Sequence, residues 1–119
     1  MVTPDLNPPG ALKAEISAGM VQLLHDYTGR GPTQARTYVS DDLVTIVLRD
    51  TMTPAETSLA AAGHGEFVLD LRAKVQATMK ADAVAMVERV TGRSVNVFMS
   101  TNSIEPDAAA EVFLLAPVS

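Results

Sequence analysis

Along the first third of the chain the hydrophobic positions recur at three- and four-residue steps, and then, abruptly, at every second residue. Ala14 or Ile16, Met20, Leu23, Leu24 and Tyr27 share one side of a helix whose other faces carry Lys13, Glu15 and Asp26, the spacing of an amphipathic α-helix. Gly29 stands where a left-handed C-cap residue belongs, and Pro32 prevents the helix from resuming. From Gln34 to Arg49 the period is two. "ARTYV" and "LVTIVLR" flank "SDD", whose residues favour a turn, so this stretch predicts an antiparallel hairpin. Thr53-Pro54-Ala55-Glu56 is a capping box with proline at the first helical position. The short helix it opens is ended or bent by the "GHG" of residues 63–65. A longer helix follows, with Phe67 or Val68, Leu71, Val75, Met79, Val87 and Val90 along one side. Its polar face holds Asp70, Arg72, Lys74, Lys80, Asp82, Glu88 and Arg89, and it closes at Gly92. "SVNVFMS" and "AEVFLLA" then read as a second strand pair joined by the loop "TNSIEPD".

The order α-ββ-αα-ββ predicts an α+β fold: a four-stranded antiparallel sheet with helices packed mainly on one face. Residues 1–10, "MVTPDLNPPG", carry three prolines and read as a flexible N-terminal lead-in, and residues 11–119 as a single domain. Strand alternation assigns Val44, Ile46, Leu48, Val95, Val97, Met99, Val112 and Leu114 to the face beneath the helices. It leaves Leu43, Val47, Phe98, Phe113 and Leu115 on the other. A face that apolar calls for a cover. It is the expected interface, with a homodimer formed by pairing of two sheets or by strand addition at an edge.

Composition narrows the classes of function. A chain of 119 residues is long enough to bury a core without crosslinks. The formal charge of −5 supplies no uniform positive field for phosphate backbones, so nucleic acid is not an expected partner. Cysteine is absent, which removes disulfides, thiolate metal sites and cysteine nucleophiles together. Apolar runs such as "LVTIVL" fall far short of the ~20 residues that span a bilayer, so the expectation is a cytoplasmic protein without direct membrane insertion.

One stretch invites a chemical reading. In "TGRGPTQARTYVSDD", residues 28–42, glycine amides surround Arg30, with Gly31 and Arg36 close by. Such groups can hold phosphate or carboxylate, and with Arg49 and Asn102 they form the candidate ligand-binding set of a small-anion or metabolite sensor. Against this, the loop follows a helix C-terminus, whose partial negative charge repels anions and is compensated by a residue such as Arg30. Both readings stand. His25 and His64 lie on separate segments without other ligands at metal spacing, so no metal and no cofactor are expected. Asp41, Asp42 and Asp50, even with Glu105 or Asp107, match no calcium loop. Ser40, Ser58 and Ser100 lack a nucleophile-elbow context. No catalytic residue is assigned, and an enzyme using either histidine as a base is the weakest of the readings.

Taken in order, "GRGP", "ARTYVSDDLVTIVLRD", "MTPAE", "GHGEFV", "VERVTGRSVNVFMS" and "EPDAAAEVFLL" resemble the MpsC family of small bacterial proteins, long known as a domain of unknown function. The similarity runs from about Ala11 to Ala116, and order and spacing carry it rather than any single motif. The resemblance implies a sodium-translocating, membrane-potential-generating system whose large partner proteins are also linked to uptake of inorganic carbon. Family members often have an acidic residue directly after the serine that closes the third strand, where this chain has Thr101. Since translocation across hydrocarbon needs a helix bundle or a closed barrel, the implied role is a soluble, non-enzymatic accessory or regulator, with a membrane protein as a further partner.

Overall fold

The computed structural model describes residues 9–118. Most of the lead-in expected at residues 1–10 lies outside the described residues, and its last two, Pro9 and Gly10, already belong to the first helix. The elements are α1 (Pro9–Thr28), β1 (Gln34–Ser40), β2 (Leu43–Arg49), α2 (Pro54–Ala61), α3 (Gly65–Thr91), β3 (Val95–Ser103) and β4 (Ala108–Leu115). This is the expected α+β order.

Each hairpin forms where its turn residues allow. Asp41, at φ 51°, turns β1 into β2, so that Ser40 faces Leu43 and Gln34 faces Arg49. The two hairpins lie side by side in the strand order β1-β2-β4-β3, antiparallel throughout. β2 and β4 are therefore the central strands. α1 and α3 lie on one face of the sheet, α1 against β1 and α3 against β3, while α2 packs on α3.

The core fills the space between these layers. Ile16, Met20 and Leu24 of α1 and Met79, Ala83, Met86 and Val87 of α3 meet Val44, Ile46, Leu48, Phe113 and Leu115 of the sheet. Gly19 lets the two helices approach, because a Cβ at that position would lie 2.8 Å from the Met86 side chain. Thr53 caps α2 as the sequence predicts: its hydroxyl accepts from the Glu56 N–H, and the Glu56 carboxylate accepts from the Thr53 N–H.

Three expectations are corrected. Phe98, Phe113 and Leu115, assigned from alternation to the uncovered face, point toward the helices, and Val97, Met99, Val112 and Leu114 point away from them. A bulge between Val95 and Val97 shifts the phase of β3, and Phe98 then stacks on Phe113 with ring centroids 5.0 Å apart. In β4 the lone charged residue, Glu111, faces inward and inverts the reading of its neighbours. Asn102, expected in a loop, lies within β3, which runs three residues beyond Ser100. On α3, Val68 rather than Phe67 takes the buried position, one of the two alternatives expected, but Leu71 is exposed while Arg72 and Gln76 are buried.

Candidate functional site

Because Val44, Ile46 and Leu48 point inward, the pleat turns Leu43, Thr45, Val47 and Arg49 to the side without helices. Register extends that face across the sheet. Tyr38 lies opposite Thr45 and Arg36 opposite Val47; Val112 sits between Thr45 and Met99, and Leu114 between Leu43 and Val97. Tyr38, Val97 and Met99 are 47%, 40% and 49% exposed, and together with Leu43 and Leu114 they form a contiguous apolar surface of the kind that marks an interaction site. Among the described residues, the charged ones on this face are Arg36 and Arg49, and no carboxylate shares it. The Arg36 guanidinium stands 5.2 Å from the Tyr38 ring centroid, within cation–π range, which holds it over the sheet. A concavity of about 500 Å³ opens between Arg36, Tyr38, Val47 and Arg49. A second depression, of about 210 Å³, lies over Ala108 and Ala110, where small side chains leave space between Val47 and Thr101.

Behind the sheet, between it and α3, runs a chain of buried polar groups. The Arg72 guanidinium donates to Glu56 Oε1 at 3.2 Å, to Thr51 Oγ1 at 2.6 Å and to Asn102 Oδ1 at 3.1 Å. Thr51 passes its own hydroxyl hydrogen to Asp107, which also accepts from the Met52 N–H. Asn102 and Gln76 exchange amide hydrogen bonds, and Gln76 donates to Glu111 Oε1 at 2.9 Å. Glu111 is fully buried, and its other oxygen meets the Ser100 hydroxyl. Burial pushes the Glu111 carboxyl up to about 6, although Ser100, Gln76 and the Arg72 charge favour its ionised form. Glu56, Asp107 and Glu111 thus lie along one network whose cation, Arg72, pairs directly with Glu56. The network fastens α2, the β2–α2 turn, α3, β3 and β4 to one another.

The sequence profile of a family described as the Na+-translocating membrane potential-generating system (MpsC) matches residues 9–117. The chain belongs to the MpsC family. An uncharacterized protein of Bacillus subtilis (strain 168), YbcI, is 25% identical over 107 residues, which cover 89% of this chain and 86% of that protein. No solved structure matches significantly.

In this MpsC family member the residues singled out from the sequence fall into four places. Arg36, Arg49, Leu43 and Val47 meet on the uncovered sheet face. Asn102 joins the buried network, and Phe98, Phe113 and Leu115 join the core. Arg30 bonds to neither the face nor the network, though it lines a small cavity with Thr51, Glu56, Arg72 and Gln76: its guanidinium donates to the Asp50 carboxylate at 2.8 Å and to the Asp50 carbonyl, and it holds the Asp50 carboxyl below its ordinary range, with help from Thr33. Gly29, at φ 82°, caps α1, and Gly31 packs against Val21. In the loop's geometry Arg30 therefore ties the end of α1 to the end of β2. Arg93 does the same at the other end of the sheet, reaching Asp42. His25 and His64 are both exposed. Among the described residues no three His, Cys, Asp or Glu side chains converge as a metal site would require, and no helix is long and apolar enough to cross a membrane.

Sequence reasoning missed Arg72, Gln76 and Glu111. The helical signal was present: Val68, Arg72, Gln76, Met79, Ala83 and Val87 follow one another at steps of three and four, so the two polar residues lie on the core stripe itself.

Proposed function

We propose that this chain is a non-enzymatic accessory or regulatory component of the membrane-potential-generating system for which its family is described, that it works in the cytoplasm, and that it acts through protein contacts made by the uncovered sheet face. The observation that carries this reading is the face itself. A sheet with one side packed on helices ordinarily exposes polar residues on the other, and here Val97, Met99 and Leu114 stand in their place. The buried network supports the same reading from within, since it gives that sheet a rigid back and leaves its polar groups engaged with one another.

The test is made in cells lacking the gene, with sodium-dependent membrane potential as the readout. Wild-type protein restores the potential, and a Met99→Asp, Leu114→Asp double variant with unchanged helix and strand content does not. Full restoration by that folded variant overturns the proposal.

A further inference from the structure

We infer that the occupant of the uncovered sheet face is a segment of a different protein, apolar on the side that meets the sheet and carrying carboxylates where it passes Arg36 and Arg49. The inference rests on the reading of this face as a contact surface and names the chemistry of what it contacts.

Charge decides between the possible occupants. The chain has 14 acidic residues against 9 basic ones, yet among the described residues its uncovered face carries two arginines and no carboxylate. Among the described residues neither Arg36 nor Arg49 has an ion-pair partner; Arg30, Arg72 and Arg93 each have one, and Arg89 on α3 has none. A second copy docked face to face would bring the same apolar side chains and two more arginines, and among the described residues no carboxylate on that face to pair with them. A partner bearing carboxylates supplies the missing sign, and guanidinium groups bind carboxylates in a two-point fork.

Shape adds a second constraint. The apolar strip runs from Tyr38 of β1 over β2, β4 and β3, while Arg36 lies on β1 opposite Val47 and Arg49 at the end of β2 opposite Ala108, both on the side away from Leu43, Leu114 and Val97. The cationic groups therefore flank the end of the strip away from the β1–β2 turn, so the partner must be amphipathic with its acidic side toward that end. The depression over Ala108 and Ala110 lies next to Arg49 and takes one large apolar side chain, the kind of anchor on which interface affinity concentrates. The Tyr38 ring, already beneath Arg36, spares the guanidinium part of the ordering cost of binding.

The experiment uses the full chain, isotope-labelled, and two probes: a short amphipathic peptide of leucine and glutamate, and its leucine–lysine counterpart. With the acidic peptide the backbone amide signals of Tyr38, Val47, Ala110 and Met99 shift on titration. An Arg36→Glu, Arg49→Glu variant binds that peptide about tenfold more weakly, the scale of two partly exposed charge contacts, and takes up the lysine peptide instead. An Arg36→Gln, Arg49→Gln variant loses the preference without reversing it. Equal binding of both peptides by the wild type, or shifts confined to the helical side, overturns the inference. So does a dimer in sedimentation that Met99→Asp dissociates, because a second copy then fills the face. That last result leaves the proposed function intact, whereas restoration of membrane potential by the Met99→Asp, Leu114→Asp variant removes the function and not the peptide preference.

Discussion

Glu111 is held by a glutamine amide on one oxygen and a serine hydroxyl on the other, with Arg72 close enough to lower its charge cost and too far to bond it. Its carboxyl titrates at about 6 against an ordinary 4.5. The unfolded chain therefore ionises it first as pH rises. Its contribution is neutral below about pH 4.5, becomes destabilising from there to just above 6, and reaches about 2 kcal/mol. Glu111→Gln keeps a carbonyl for Gln76 and offers an amide to Ser100. The stability difference between variant and wild type, measured by urea unfolding across pH, is expected to rise toward that figure between pH 4.5 and 7 and to stay flat if the carboxyl titrates normally. Arg72 is the opposite case. Arg72→Met leaves Glu56 buried without its cation and strips donors from Thr51 and Asn102. A loss of about 3–5 kcal/mol is expected in the same unfolding assay; a loss below about 1 kcal/mol shows that the network is not what joins α3 to the β2–α2 turn.

At the scale of elements, α2 depends on its first turn. It spans eight residues, too few to persist without capping and tertiary contacts, and its capping box shares Glu56 with Arg72. Thr53→Ala is expected to cost about 1 kcal/mol and to lower the melting midpoint by roughly 3–6 °C, while Thr53→Ser stays close to wild type; thermal unfolding followed by circular dichroism checks both. The same box was legible in the sequence, as were the bounds of β1 and β2, because each is written in residues three or fewer positions apart. The faces of β3 and β4 were not. Polar Ser100, Asn102 and Glu111 point inward to satisfy one another, and a rule that sends polar residues outward must reverse both strands when the core holds a hydrogen-bonded network. The spacing puts Arg72 on the core stripe, but its partners could not be read, since Thr51, Glu56 and Asn102 come from three separate stretches of the chain. Of the candidate site, the sequence showed Arg36, Arg49, Leu43 and Val47 because they sit on the regular hairpin; Tyr38, Met99 and the hollow over Ala110 required the register.

For the whole molecule, the strand order matters as much as any contact. β4 lies between β2 and β3, carries Glu111, Phe113 and Leu115 into the core, and supplies Ala110, Val112 and Leu114 to the open face. Both surfaces of the sheet, the one that holds the domain together and the one proposed to meet a partner, pass through this one strand. It is also the last of the described elements to leave the ribosome. Until it arrives, β2 has a bare edge where its central neighbour belongs, β3 has no strand beside it, and Gln76 has no carboxylate to receive its amide hydrogen. The nascent chain thus waits with a gap in the middle of its sheet rather than at the border, a state that exposes strand edges and invites holding by a chaperone. A stop or frameshift just before Ala108 would not trim the domain; it would leave the β1–β2 hairpin and a lone β3 with no strand to join them.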